Sequence, residues 1–384
     1  MRRYTRLMIV SLPLPVEIVS QAAQLDAAVK AMLGSRYIAL DTESNSFHHY
    51  PEQLCLIQIA TRHRVYIIDA IVLKEIAALK EVLDASIIKV VHGADYDIRS
   101  LDRHCGFHIR NLYDTNIAAR FAGMTRFSLA ALIEDLLGVT IPKSKRLQRA
   151  DWGHRPLSTE ALDYAATDVS YLLALQETLN QRLQTLGRTE WVAEECARLE
   201  EVRYTAPDSE TAYLSVKGAK NLDGRGLAIM QSLFRFREEE ARRQHRPPFF
   251  VIPDAALIFL ATTPTATISK VPGLGQTGLK RFGQGLQQAL HDGMTTPLIH
   301  RPHPIKAERA SKKQVQRLSR LKEWRTSLGS SLSLDPSLLW PLTSLERLAK
   351  APDTLKVELT YDNIRRWQRN VVASSLQTCL ESLP

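Results

Sequence analysis

Between residues 36 and 70 three short β-rich runs follow one another: "RYIALDTE" (36–43), "LCLIQIAT" (54–61) and "RVYIIDA" (64–70). Runs of this length suit strands, and short polar loops between them suit antiparallel neighbours, so an antiparallel meander is expected. Then come a helical period over 73–85, a strand at 86–93, a helix at 94–105 and a strand at 109–115. From about 116 the chain reads as mostly helical, through 128–138 and a long stretch from Ser158 to about Leu186. Three strands, then αβαβ, then helices is an α/β pattern.

The first run ends in two acids. Side chains alternate across a strand, so Asp41 and Glu43 point to one face. Two carboxylates that close repel each other, and each is costly to desolvate. Either the strand end frays into a polar loop, with Thr42 and Ser44 as turn residues, or a divalent cation sits between the acids. The second reading requires more acids. Asp95 and Asp97 stand just after the strand at 86–93, and Tyr164 and Asp168 are four apart on a helix, so they share a face. Taken singly, each piece reads equally well as a cap or as packing. Asp69 and Asp114 end apolar stretches in the manner of helix caps, and His92 reads as structural.

With 384 residues, the chain is too long for one ordinary core, and two or three domains are expected. No apolar run approaches the ~20 residues that span a bilayer, so no membrane partner is expected. The N-terminal apolar patch is broken by two prolines, so no signal peptide is read there. Cysteines 55, 105, 196 and 379 are scattered without a CxxC pair, which argues against a zinc site or disulfide framework and fits a reducing cytoplasm. The net charge of +9 is unevenly placed: residues 1–203 carry −1 and residues 204–384 carry +10. A near-neutral working domain joined to a part that attracts a polyanion is the implied arrangement, and nucleic acid is the polyanion that fits.

Residues 201–226 lack a steady period and carry Pro and Gly. Beyond them helical patterns alternate with Pro-containing loops, and a weak repeat relates 233–271 to 318–355. Each half of the repeat is a basic helix, a loop, an apolar helix and a closing helix, which suggests two related modules of about 80 residues. The resulting division is 1–203 for the α/β domain, 204–220 for a linker, 221–298 for one helical module and 305–384 for a second, diverged one.

D-x-E after an apolar strand, H-x-x-x-x-D after a second strand and a late Y-x-x-x-D on a helix together resemble the DEDDy 3′→5′ exonucleases of the ribonuclease H-like fold. The matching residues are Asp41, Glu43, Asp97, Tyr164 and Asp168. The stretch from Leu222 to Ala261 resembles the start of an HRDC domain, a helical nucleic-acid-binding module. An exonuclease followed by two such modules resembles the plan of the bacterial ribonuclease D family, over nearly the whole chain. The fold this implies is a ribonuclease H-like exonuclease domain with a mixed sheet, then two all-α HRDC-type domains.

The resemblance further implies a cytoplasmic, monomeric 3′→5′ exoribonuclease that releases nucleoside 5′-monophosphates and trims structured RNA such as tRNA precursors. Two divalent ions, Mg²⁺ or Mn²⁺, would serve it, and hard cations prefer the oxygen donors present here. Asp41 would bridge both ions, Glu43 and Asp168 would complete the one that activates water, and Asp97 would hold the other. Tyr164 would orient the attacking water. Lys143, Lys145, Arg146 and Arg149 are expected phosphate contacts beside the site, and Gly273, Gly275 and Lys280 belong to a hairpin-like loop suited to phosphate. A DNA exonuclease and an inactive nucleic-acid-binding protein are the competing readings. The intact set of acids speaks against the latter, and contacts to the 2′-OH would decide the former.

Overall fold

The computed structural model describes residues 14–142, 144–266, 268–300 and 310–383. The first part of the chain runs β1 (Val16–Val19), α1 (Ala22–Leu33), β2 (Tyr37–Ser44), β3 (Leu54–Ala60), β4 (Val65–Asp69), α2 (Ala70–Leu73), α3 (Leu79–Asp84), β5 (Ile88–Val91), α4 (Asp95–Cys105) and β6 (Leu112–Asp114). Helices follow: α5 (Thr115–Phe121), α6 (Leu129–Leu137), α7 (Lys145–Gln148), α8 (Thr159–Ser170), α9 (Leu172–Leu186) and α10 (Thr189–Glu200).

The six strands form one mixed sheet in the order β1-β4-β3-β2-β5-β6. β2, β3 and β4 are the expected antiparallel meander, while β1, β5 and β6 join in parallel. β1 escaped the sequence reading because it is a short edge strand whose Val16 and Ile18 are exposed. The helical period over 73–85 also gives less helix than expected. Asp69 caps the short α2 through its bond from the Val72 amide, and the chain then turns at Lys74 with φ +60°. The stretch from Ser158 to Leu186 is two helices that meet at Tyr171. β3 is buried at every position, as the centre of a sheet covered on both faces must be.

The remaining helices fall into two groups with one plan. The first has α11 (Gly224–Gln244), α12 (Pro248–Val251), α13 (Asp254–Thr262) and α14 (Gly275–Thr295). The second has α15 (Lys312–Leu332), α16 (Pro336–Leu339), α17 (Leu342–Lys350), α18 (Leu355–Glu358), α19 (Arg366–Val371) and α20 (Ala373–Glu381). In both, a 21-residue helix ends on a left-handed residue (His245, Ser333), a four-residue helix opens on proline, and a nine-residue helix follows. The groups diverge at the closing helix, which is long in the first and broken into α18–α20 in the second. No helix among the described residues is long and apolar enough to cross a membrane.

The first group has its own core. There α14 approaches α11 so closely that a Cβ on Gly293 would lie 2.4 Å from the Ile229 Cα, so only glycine fits. Tyr213, Val216 and Ala219 are buried in the same core. Part of the segment 204–220 expected as a linker is therefore a wall of this module, because its few apolar residues are spaced too irregularly to announce a packed element.

The second group has no separate core. Its apolar residues are continuous with those of the α/β domain. Trp367 stacks on Trp191 at 4.8 Å and meets Phe121 edge-on at 5.3 Å. The buried Arg188 bridges the two parts, donating to the carbonyls of Phe121 (2.8 Å) and Leu332 (2.5 Å). Gly123 at φ +74° lies so close to the Ser333 carbonyl that a Cβ would stand 2.9 Å from it.

Candidate active site

The site forms where β2 outruns its parallel neighbour. Pairing between β2 and β5 ends at Ala39↔Val90, whereas pairing with β3 continues to Ser44. The edge of β2 that carries residues 41–43 is therefore free of strand partners on one side, and Asp97 of α4 fills it. The Thr42 hydroxyl donates to Asp97 Oδ1 at 2.6 Å, and the Thr42 amide also favours the charged form of Asp97. Asp114 fixes where α4 begins. Its carboxylate accepts from the Gly93 and Ala94 amides at 3.1 and 2.8 Å while also capping α5. The neighbouring acid Asp95 points away, exposed and paired with Arg99 at 2.9 Å. His92 bonds to the Thr115 hydroxyl at 2.9 Å, a structural tie.

α8 brings the other two groups. It is capped by Ser158 and packs across β2, β3 and β4. Tyr164 and Asp168 lie one turn apart on it, and the tyrosine hydroxyl bonds to the carboxylate, with Gln148 of α7 as a second partner. The buried Trp152 ring sits 6.2 Å from that of Tyr164. Its loop is pinned by Arg155, which donates to the Trp152 carbonyl at 2.6 Å and to both Asp69 oxygens at 2.6 and 2.8 Å.

Asp41, Glu43 and Asp168 offer carboxylate oxygens that all lie within 4.8 Å of one another. Burial, then repulsion from Asp97, Asp168 and Glu43, holds the Asp41 carboxyl well above the usual carboxylate range. Burial and the charges of Asp168 and Asp97 push Glu43 up to about 9. Burial raises Asp168 to about 7 against the bond from Tyr164, and burial, with a smaller push from the Asp114 charge, raises Asp97 to about 7 against the Thr42 bonds. Tyr164 is pushed above its ordinary value by burial and by Asp168, so at neutral pH its hydroxyl keeps the proton.

Gln58 adds a second anomaly. It is fully buried, it is the cross-strand partner of Asp41, and neither its amide nitrogen nor its amide oxygen has a partner. Directly opposed residues of an antiparallel pair share a face, so this amide borders the acids. A crowd of carboxylates that resist ionisation beside an orphaned amide is what a hard divalent cation with ordered water would complete. The all-oxygen donor set fits that group.

The expected phosphate contacts are placed unevenly. Lys143 lies outside the described residues. Lys145 is exposed on α7 and lines a hollow of about 230 Å³ with Gln148, Tyr164 and Asp168. A larger cleft of about 390 Å³ opens beside it, between Pro142, Leu147 and the Tyr164–Asp168 face. Arg146 is tied to Glu160. Arg149 lies over the Phe47 ring at 5.6 Å, and its carbonyl bonds to His48 at 2.8 Å. Gly273 and Gly275 have positive φ, and Gly273 opens on a separate hollow of the first helical module. Lys280 is exposed on α14 and lines none of these three hollows.

Sequence reasoning missed Gln58, whose signal was one polar residue in an apolar run. It also missed the contact that joins the first module to the loop after β2. There the Tyr50 hydroxyl donates to Glu238, the Tyr50 amide donates to the His245 carbonyl at 3.3 Å, and His49 stacks on His245 at 5.4 Å.

Residues 16–184 match the family model described as 3′-5′ exonuclease, and residues 226–290 match the HRDC domain model. A ribonuclease D of Xanthomonas oryzae pv. oryzae is 30% identical over 367 residues, covering 94% of this chain and 96% of that one. A ribonuclease D of Desulfotalea psychrophila is 30% identical over 338 residues, covering 86% and 87%. The crystal structure of Escherichia coli RNase D, described as an exoribonuclease involved in structured RNA processing, superposes with a TM-score of 0.73 at 25% identity, over 97% of this chain and all of that one.

Proposed function

The chain belongs to the ribonuclease D family and is a 3′→5′ exoribonuclease; we propose that it trims the 3′ ends of structured RNA, tRNA precursors among them, in the cytoplasm and as a monomer. The observation that carries the mechanism is the set of carboxylate oxygens within 4.8 Å on Asp41, Glu43 and Asp168, with Asp97 beside them.

In this reading the four acids hold two divalent cations, Mg²⁺ or Mn²⁺. When bound, such ions neutralise phosphate charge and lower the pKa of water at the scissile bond. The protein's own residues do the rest. Asp41 and Glu43, on one face of a paired strand, fix the donor oxygens to the rigid sheet. Thr42 bonds Asp97 directly, and Asp114 fixes the start of the helix that carries it. Tyr164 keeps its proton and donates it to Asp168, so its hydroxyl oxygen, with Gln148 as its other partner, would orient the attacking water as an acceptor. The cleft of about 390 Å³ beside Tyr164 receives the terminal nucleotide. Lys145 and Arg149 meet its phosphates, and nucleoside 5′-monophosphates leave. The two helical modules, both of HRDC type in this reading, carry the positive charge that holds the body of the RNA.

Degradation of 5′-labelled RNA and DNA oligonucleotides tests this directly. Stepwise shortening from the 3′ end of RNA, abolished by EDTA and restored by Mg²⁺ or Mn²⁺, is expected. Endonucleolytic products, or full activity after exhaustive chelation, would overturn the mechanism. Equal rates on DNA would move the substrate class.

A further inference from the structure

The first helical module carries an aromatic pair that nothing in its own fold explains. Phe249 and Phe250 leave 47% and 56% of their surface exposed, although α12, which holds them, is otherwise the packed corner of the module. Their rings lie 4.6 Å apart, tilted by 46°. They border a hollow of about 390 Å³ flanked by two guanidinium groups, Arg246 and Arg281. Neither arginine forms an ion pair among the described residues. Glu240, the acid that feels Arg281, is itself held by Arg243 at 2.6 Å and by Gln244 at 2.8 Å. Exposing two phenylalanines forgoes several kcal/mol of burial, so a solvated role is a poor explanation for them.

We propose that Phe249 and Phe250 are a base-stacking platform for the single-stranded RNA leading to the catalytic cleft, with Arg246 and Arg281 meeting its phosphates. This rests on the exoribonuclease reading and names the surface that holds the strand behind the 3′ end. Exposed rings beside guanidiniums that hold no ion pair match a polyanion with flat apolar bases, and stacking is indifferent to sequence, as an exonuclease that walks along its substrate requires. Arg281 lies over the Phe282 ring at 5.5 Å and keeps its charge uncompensated by an acid; an apolar protein partner would suit the rings but not these two cations. The placement supports the same occupant. Arg246 to Phe250 immediately follow His245, which stacks on His49 and accepts from the Tyr50 amide. Those residues lie on the loop leaving β2, the strand of Asp41 and Glu43. The platform therefore begins where this module touches the loop that follows the strand of the acids.

The test uses the full-length chain with two RNAs, a trinucleotide and a single strand about twenty nucleotides long. Each stacked base is worth a factor of about 5 to 150 in affinity. The F249A/F250A double variant is expected to raise KM for the long strand by about tenfold or more, with turnover of the trinucleotide unchanged. F249L/F250L keeps apolar bulk and removes the π-faces, and is expected to lose as much. R281Q is expected to reduce the salt dependence of long-strand binding by about 0.7 in log–log slope, while the phenylalanine variants leave that slope unchanged. F249W is expected to keep the wild-type KM and to show tryptophan quenching on binding RNA. A wild-type KM in F249A/F250A, or full rescue by leucine, would overturn the platform while leaving the exonuclease intact. Failure of the unmodified chain to degrade either RNA would overturn the exoribonuclease reading and the platform with it.

Discussion

Glu43→Gln should inactivate the enzyme and, in the absence of metal, make it more stable. The carboxyl of Glu43 is pushed from 4.5 to about 9 by burial and by the charges of Asp168 and Asp97. A group whose folded pKa is raised contributes its full stability below the unfolded value and loses it as pH rises through the folded value. The window is therefore pH 4.5 to about 9. At pH 8 the unfolded chain ionises Glu43 and the folded chain resists, over 3.5 pH units, which at 1.36 kcal/mol per unit sets a ceiling of about 5 kcal/mol against folding. Glutamine is neutral in both states and close to the same shape, so it escapes that cost. A gain of only 2 kcal/mol would raise the melting temperature of a domain this size by about 4–8 °C.

The assay is thermal unfolding of wild type and variant in EDTA at pH 5 and pH 8, repeated at pH 8 with Mg²⁺. In EDTA the two should melt together at pH 5, and the variant should melt several degrees higher at pH 8. With Mg²⁺ the gap should narrow or reverse, because wild type gains about 2.7 kcal/mol at a hundred times its Kd and the variant has lost a ligand. A variant that melts at or below wild type in EDTA at pH 8 would refute the claim that these acids are held in mutual conflict for a cation.

Tyr164→Phe keeps the ring against Trp152 and removes the hydroxyl; single-turnover rates should fall by about 10²–10⁴-fold with RNA binding retained. Trp367→Ala should cost about 3–5 kcal/mol of stability, read by denaturant titration, because it empties the stack against Trp191 and Phe121. Tyr50→Phe removes the hydroxyl bond to Glu238 alone, and should raise KM for long RNA more than for a trinucleotide, with little change in melting temperature.

The five residues expected at the centre lie together in the structure, and each left a trace in local pattern. An acid pair at a strand end, an acid one turn into a helix and a Tyr–Asp pair four apart each leave a trace within a few positions. What supports them leaves none. Gln58 looks like an accident in "LCLIQIA" until the register with β2 sets it opposite Asp41. The Arg155–Asp69 pair that pins the Trp152 loop links positions 86 apart, and Tyr50–Glu238 links positions 188 apart. Spacing in one sequence holds no record of such contacts.

The same limit governs the third part of the chain, and it changes what a truncation can test. Charge divides the chain near residue 203, with −1 before it and +10 after. On charge alone, a fragment ending there should keep the nuclease and lose only the RNA-holding half. Packing divides it differently. The first helical module buries its apolar residues within itself. The second shares the α/β core, with Arg188 spanning the seam and Arg365 held by Glu195 at 2.9 Å. An amphipathic helix reads the same whether its apolar stripe faces its own module or a neighbour, so sequence cannot see this seam. Cutting at 203 exposes Phe121 and Trp191 and leaves Arg188 without its Leu332 carbonyl. Loss of activity in that fragment would thus report a missing wall of the catalytic domain and say nothing of RNA binding, which only substitutions on the surface of the intact chain can address.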